Sequence, residues 1–578
     1  MYATSVPTSS NSFLNIVVEG CCHGELDQIY NTVNRISQEE GSCVDLLIIC
    51  GDFQSVRNEQ DLACLACPPK YRKMNTFYKY YSGEKRAPVL TLFVGGNHEA
   101  SNYLAELPYG GWVAPNIYYM GWAGVVNFCG ITIAGISGIY NHRDFNRNHH
   151  EFPPFDNRSL RTAYHVRSLE VYRFLQYGGN VDLFFSHDWP LGIHDFGNTQ
   201  ELLRKKRFLS DDIAKNELGS EANLAILRAV KPSYYFAAHL HVKFAAIFPH
   251  GDEDPQQKIP TIDNTINGCR VTRFLALDKV LPNRPFVQLL TLPSKIPRTP
   301  ENILLRHDPE WLAILKATDP VVSVYPSQVQ MPKVPVEQSE MKSCIDSVRE
   351  AFPSSDDLII AENSFKITVP AYDPRKNPHI RLNVPQPPAA NNEYTQQLCD
   401  KLKIKNPIVE YFKLVEQGLV RVNYQTNNGE DFESSDMSFV SSSFNSTPSF
   451  RKGQRSFIGS ENNSVVDTSN DPNELEIEQS SDESVGDPKG DEEFFMESFS
   501  KSSIIPQADE SQILQLLNST LEQSRSDPSA IDLSAITEEP KEKVAKGDVS
   551  ATCESEITMH STPLAVKTFK RRNTLPRS

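Results

Sequence analysis

No stretch of this chain is apolar over the ~20 residues that a bilayer crossing requires, so a membrane-spanning helix is not expected. The opening residues, "MYATSVPTSSNSF", lack the basic-then-apolar order of a secretory leader, which argues against export by that route. A surplus of positive charge is missing too: 57 Lys and Arg stand against 73 Asp and Glu, a formal net charge of -16. That excludes a protein whose whole surface binds nucleic acid, and leaves open a local basic groove inside an acidic chain. A disulfide framework is also absent, because 11 cysteines, an odd number, are scattered over 578 residues. Such usage points to a reducing compartment, cytosol or nucleus. Cys64 and Cys67 form a C-x-x-C with no second pair nearby and read as core or surface thiols. No internal repeat is found.

What is present falls into three zones. Over residues 14–277, short apolar runs recur: "NIVVEG", "VDLLIICGDF", "PVLTLFVGGNHE", "ITIAGISG", "VDLFFSHDWP" and "YYFAAHLHV". Each is β-branched or aromatic, short, and bounded by Gly, Asn, Asp or Pro, as strands buried on both faces should be. A layered α/β domain follows. Residues 278–423 are richer in proline and less regular, a smaller second domain or a wrap on the first. Within them "HDPEWLAILKAT" predicts a helix capped by Asp308, with Pro309 in its first turn and Trp311, Leu312 and Leu315 on its buried face. From 424 to 578, Ser, Asp, Glu, Asn and Thr dominate, too little apolar surface to offset the entropy of ordering, and a disordered acidic tail is expected.

Polar residues that end buried parallel strands are expected at one rim of the sheet. The endings here are Cys21 and His23, then Asp52 in "CGDF", Asn97 and His98 in "GGNHE", His187 in "SHDWP", and His239 and His241 in "AHLH". Thiolate, imidazole, carboxylate and amide oxygen are the donors that one or two first-row metal ions require. A single Gly-Asp or His-x-His is more often loop chemistry than a ligand. Five such endings in order within one domain make a metal site the better reading.

The ordered set resembles the calcineurin-like metallophosphoesterase superfamily, whose pattern runs D-x-H, G-D, G-N-H-[DE], a lone H, then G-H-x-H. Two positions depart from it: Cys21 stands at the first aspartate, and Ala238 at the glycine before the last His pair. The cysteine, with "GCCHGELDQIY", "CGDFQSVRNEQDL", "ELPYGGWVAPNIYYMG" and "AHLHVKFAA", is similar to the RNA lariat debranching enzyme family through the first zone and into the second. The resemblance implies a β-sandwich flanked by helices, a smaller C-terminal domain, and two pockets sharing Asp52. One would hold Cys21, His23, Asp52 and His241, the other Asp52, Asn97, His187 and His239. The thiolate should favour Fe(2+) or Zn(2+) in the first, and the N/O donors suit Fe(2+), Mn(2+) or Zn(2+) in the second. Cys22, next along the strand, projects differently and reads as structural.

The activity so implied is hydrolysis of the 2′-5′ phosphodiester at the branch of excised intron lariats. Metal-activated hydroxide would attack, and His98 would be the general acid that protonates the departing 2′ oxygen, with Glu99 fixing its orientation. Residues 138–167 correspond to a lariat-recognition insertion. There Tyr140, Phe145, Phe155 and His165 alternate with Arg143, Arg147, Arg158 and Arg161, a mixture suited to stacking splayed bases and holding phosphates. Phe152 belongs to the same mixture. For the similar stretch from Lys70 to Arg86, burial of the tyrosines and RNA contact both stay open. The closing "KTFKRRNTLPRS" reads as a nuclear import signal, consistent with a nuclear protein that shuttles to the cytoplasm and meets spliceosomal or intron-turnover proteins. Two other readings remain: a different metallophosphoesterase, nuclease or phosphatase, and a non-catalytic RNA-binding scaffold on the same fold.

Overall fold

The structure, a computed structural model, describes residues 13–251, 265–266, 269–294 and 296–422. The expected tail over 424–578 lies outside the described residues. Among the described residues, fourteen strands build two sheets: β1 (Phe13–Glu19), β2 (Leu46–Ile49), β3 (Leu90–Phe93), β4 (Gly111–Ala114), β5 (Ile117–Tyr119), β6 (Ala123–Phe128), β7 (Ile131–Ile136), β8 (Leu183–Ser186), β9 (Tyr234–Ala237), β10 (Phe244–Pro249), β11 (Thr265–Ile266), β12 (Cys269–Ala276), β13 (Val287–Pro293) and β14 (Leu305–His307). One sheet runs β13-β1-β2-β3-β5-β4, the other β10-β12-β9-β8-β7-β6-β14, with β11 paired to β12. The centre of each is parallel, β1 to β2 to β3 and β7 to β8 to β9, and antiparallel strands close the edges.

The apolar runs are continuous because both faces of each central strand are covered. Leu14, Ile16, Val18, Leu46, Ile48 and Leu92 pack across the sandwich on Ile133, Leu183, Phe185 and Phe236. The alternate residues Val17, Leu47, Ile49 and Phe93 meet Leu26, Ile29, Tyr30 and Val33. Those four recur at helical spacing on one face of the helix Leu26–Glu39. Behind the second sheet, Ile136, Phe184 and Tyr235 pack on Phe174 of the helix Ser168–Leu175 and on Ile226 and Leu227 of the helix Glu221–Val230. Each fully buried Leu, Ile or Phe contributes about 1.5–3 kcal/mol, so the order helix, sheet, sheet, helix follows from the strand pattern.

The single rim expected from the sequence is in fact two. β1, β2 and β3 belong to one sheet and β8 and β9 to the other, and their carboxyl ends meet at the same end of the sandwich. Local hydrophobicity marks strands without saying which sheet they join, hence the difference.

Beyond residue 277 the chain does not stand apart. β13 pairs along the whole of β1, and β14 pairs with β6. Asp308 caps the helix Pro309–Ala317 by accepting the Trp311 N–H at 2.9 Å, and Trp311, Leu312 and Leu315 are buried, as the sequence predicts. Further on, the chain is clamped to the first zone. Buried Arg57 bonds Asp61 at 2.7 Å, Glu106 at 3.0 Å and the Thr368 hydroxyl at 3.0 Å, with the Tyr103 ring centroid 3.8 Å from its guanidinium carbon. In the helix Phe77–Tyr81, Phe77, Tyr78, Tyr80 and Tyr81 are all buried, so that stretch serves the core. Cys64 is buried as well, its thiol directed at the Gln60 carbonyl.

Candidate metal centre

After each strand the chain turns at once. His23, Asp52, His239 and His241 adopt φ of 45°, 49°, 62° and 49°, the left-handed region that costs non-glycine residues of order 1–3 kcal/mol. Four polar residues strained where the two rims meet indicate a constraint other than packing. Gly96 admits no side chain: a Cβ there would collide with Asp52 Oδ1 and lie 2.8 Å from His187 Nε2. Glycine is what lets the loop after β3 close over these groups.

Cys21, His23, Asp52 and His241 each offer one donor atom, all within 4.8 Å of one another. The Nε2 atoms of His23 and His241 face each other at 3.1 Å. Two imidazole lone pairs so placed need a shared proton or a cation between them. Asp52 faces both ways: Oδ2 lies 3.6 Å from His23 Nε2, and Oδ1 3.3 Å from His187 Nε2. On that second side, His187 Nε2 is 3.2 Å from Asn97 Oδ1, and the His239 ring centroid is 5.0 Å from that of His187. His187 Nδ1 donates to the Cys50 carbonyl at 2.8 Å, which leaves its Nε2 as a lone pair aimed at Asp52 and Asn97. All seven residues named from the sequence therefore lie in one constellation with Asp52 at its centre.

The electrostatics fit a cation. Burial drives His23 down to about 4 and His239 to about 3, and it also lowers His187 and His241, the direction that favours a free lone pair for ligation. Burial raises the Cys21 thiol, and the charges of Asp52 and Glu19 raise it further, against the His239 N–H that points at its sulfur from 3.2 Å. A coordinated divalent ion would deprotonate such a thiol outright. Burial pushes the Asp52 carboxyl up, but His187, His98 and His23, with the His98 N–H at 2.9 Å, hold it well below the usual carboxylate range.

His98 is half-buried beside this centre, its ring centroid 5.6 Å from that of His23. Glu99 does not orient it. Its carboxyl instead accepts the N–H groups of Phe53 at 2.7 Å, Gln54 at 2.9 Å and Gly96 at 3.0 Å. Glu99 thus locks the Asp52 loop to the Asn97 loop, because three peptide donors converge where sequence adjacency suggested His98. Burial and Asp52 lift Glu99 to about 8. Cys22 packs on the outer face with Leu26 and Phe53, away from Cys21. Sequence reasoning passed over Glu19, the one acid in "NIVVEG". It is fully buried, neither carboxyl oxygen has a hydrogen-bond partner among the described residues, and burial followed by Asp52 raises its pKa well above the ordinary value. An acid inside an apolar run was the available signal.

The insertion differs from expectation. Phe155 is buried with Cys64 and Leu160, and Phe152 stacks on Tyr411 at 4.6 Å, so neither presents a face to a base. His165 is buried and bonds Asp144 Oδ2 at 2.9 Å. Phe145 packs on Tyr140 at 5.4 Å, and the Tyr140 hydroxyl donates to Glu221 at 3.0 Å. Arg147 lies 3.7 Å from Asp144. Arg143, Arg158 and Arg161 are exposed. The aromatics turned inward because a segment this long buries its own apolar groups before it can offer them to a ligand.

Comparison with known proteins adds the family. Residues 14–243 match the calcineurin-like phosphoesterase domain, and residues 269–407 the C-terminal domain of lariat debranching enzyme. The Lariat debranching enzyme of Danio rerio is 47% identical over 403 residues, which span 68% of this chain and 66% of that protein. That of Drosophila melanogaster is 46% identical over 426 residues, 68% of this chain and 78% of that protein. That of Homo sapiens is 44% identical over 445 residues, 75% of this chain and 77% of that protein.

Proposed function

Since the chain belongs to the lariat debranching enzyme family, we propose that it hydrolyses the 2′-5′ phosphodiester at the branch of excised intron lariats, leaving linear intron RNA. The observation that carries this reading is the Asp52 constellation, in which a thiol, imidazoles, an amide and a carboxylate converge at the end of a phosphoesterase sandwich. Cys21, His23, Asp52 and His241 would hold one divalent ion, and Asp52, Asn97, His187 and His239 a second. Such an ion supplies a water acidified towards a pKa of ~7 and stabilises charge on the phosphoryl oxygens.

The chain's own residues do the rest. Asp52 keeps its negative charge between the two pockets, and its Oδ1 fixes the His98 backbone. As general acid, His98 gives a proton to the 2′ oxygen as the P–O bond breaks, a contribution of typically about 10²- to 10⁴-fold. Glu99 holds the two loops in register, so His98 stays beside the pocket of His23. We place this work in the nucleus, where introns are released, alongside intron-turnover proteins. Imaging of the tagged chain with and without "KTFKRRNTLPRS" tests that placement.

The decisive assay offers anaerobically purified protein a synthetic branched RNA beside a linear 3′-5′ control, with Fe(II), Mn(II) or Zn(II) supplied separately. Release of the 2′-linked arm with the linear RNA intact is the expected result. Cleavage of a general phosphodiester alone would mean another phosphoesterase, and no cleavage with any metal would mean a scaffold.

A further inference from the structure

Beside Cys21 lies a group of cations that belongs to neither the insertion nor the candidate ligands. Lys279 forms a parallel bridge with Cys21: the Cys21 N–H donates to the Asp278 carbonyl at 3.3 Å, and the Val280 N–H to the Cys21 carbonyl at 3.3 Å. Residues paired in register project to the same face, so the Lys279 side chain leaves from the face that carries the Cys21 thiol. Its charge acts on both His23 and His241. Lys279 is half-buried, and its ammonium has no ion pair among the described residues.

Lys206 lies at the break between the helix Thr199–Lys205 and the turn Arg207–Leu209. Its ammonium is within electrostatic reach of Asp278, Arg284, Lys279 and Cys21. Lys206 too is half-buried with no ion pair among the described residues, whereas neighbouring Lys205 pairs with Glu201 at 2.8 Å. Arg284 reaches Asp278 at 3.2 Å and keeps its side chain 47% exposed. The carboxylate that Arg284 pairs with, and that acts on Lys206, is that of Asp278. Next to them Phe208 leaves 47% of its surface in solvent, with Lys206 Nζ 5.8 Å from its ring centroid.

In a chain of net charge -16, Lys279 paired with Cys21 and Lys206 and Arg284 near Asp278 form a local group of positive charge. An exposed ring among them adds what a polyanion of stacked bases uses and a free phosphate does not. We propose that Lys279, Lys206, Arg284 and Phe208 form a track for one single-stranded RNA arm as it leaves the branch, the cations on its phosphates and Phe208 against a base. This rests on the debranching reading. It also puts arm recognition on residues outside the insertion.

The test uses the full-length, metal-loaded protein and a branched RNA with single-nucleotide arms, then the same branch with each arm lengthened in turn. Lengthening one arm lowers KM for the unaltered protein. K206Q and F208A each lose roughly tenfold of that gain, as expected for one stacked base or one phosphate contact. K206Q also flattens the salt dependence of kcat/KM by about 0.7 in log–log slope, while F208A does not. If both variants show the same ratio between long and short arms as the unaltered protein, the track is wrong. Should the unaltered protein cleave no branched RNA, the debranching reading fails separately. Fluorescence anisotropy with single-stranded RNA then decides the track, since K206Q must still bind more weakly and equal binding overturns it.

Discussion

The metal rim and the insertion share His, Asn and Asp, yet they behave in opposite ways. On the rim, seven residues separated by up to 220 positions converge on Asp52. In the insertion, Phe155 and His165 turn inward, Tyr140 and Phe145 pack on each other, and Arg143, Arg158 and Arg161 are left outside. A strand end has one direction, set by the sheet, so a polar residue there has little choice of where to point. A loop has no such period, and each side chain goes where burial and partners take it. Residue type therefore predicts chemistry on the rim and predicts little in the loop.

The sharpest break between the two regions should come from His98→Ala. It should fold and keep its metal content while kcat falls about 10²- to 10⁴-fold. Metal analysis beside a branched-RNA assay checks it, and loss of metal would make His98 a ligand or structural group. In the insertion the large effect should be on stability. Buried Glu151 bonds Arg167 at 2.8 Å and Thr162 at 2.7 Å, so Glu151→Ala, which leaves Arg167 buried and unpaired, should cost about 3–5 kcal/mol in urea unfolding.

The same pair gives a pH dependence. Burial pushes the Glu151 carboxyl up, but Arg167 chiefly, with His150 and Thr162, brings it down to about 2. A folded value below the unfolded one means stability that is present above the ordinary carboxylate range and lost as pH falls towards 2. Acid titration of the wild type should lose this contribution over that interval, and Glu151→Ala should not.

Smaller effects refine the comparison. Cys21→Asp replaces a soft donor with a hard one and should move metal preference roughly tenfold towards Mn(II) over Zn(II), measured by competition dialysis. An unchanged preference would remove the thiolate's role. Smallest of all, Arg143→Gln and Arg158→Gln should leave stability within about 0.5 kcal/mol, both being exposed, and raise KM for branched RNA severalfold if the insertion's arginines meet phosphates.

Much of the fold was legible. "NIVVEG" and "VDLLIICGDF" are continuous apolar runs because they lie between a second sheet and a helix layer, and "HDPEW" caps and opens its helix as written. The partition of strands between two sheets was not, since hydrophobicity records burial and not partners. Glu99 shows the same limit within the site: its neighbour in sequence is His98, while its partners are peptide N–H groups of two loops. Glu19 and Lys279 escaped notice because one looks like a strand interruption and the other an ordinary surface lysine until Asp52 and Cys21 are placed beside them.

The sequence by itself determined the donor types and their order, because strand, turn and glycine are local matters of backbone sterics and burial. Only the tertiary structure decided which donors share a pocket, which aromatics are withdrawn into the core, and where cations gather on an acidic chain. Those depend on contacts between residues far apart in the chain, which no local pattern carries.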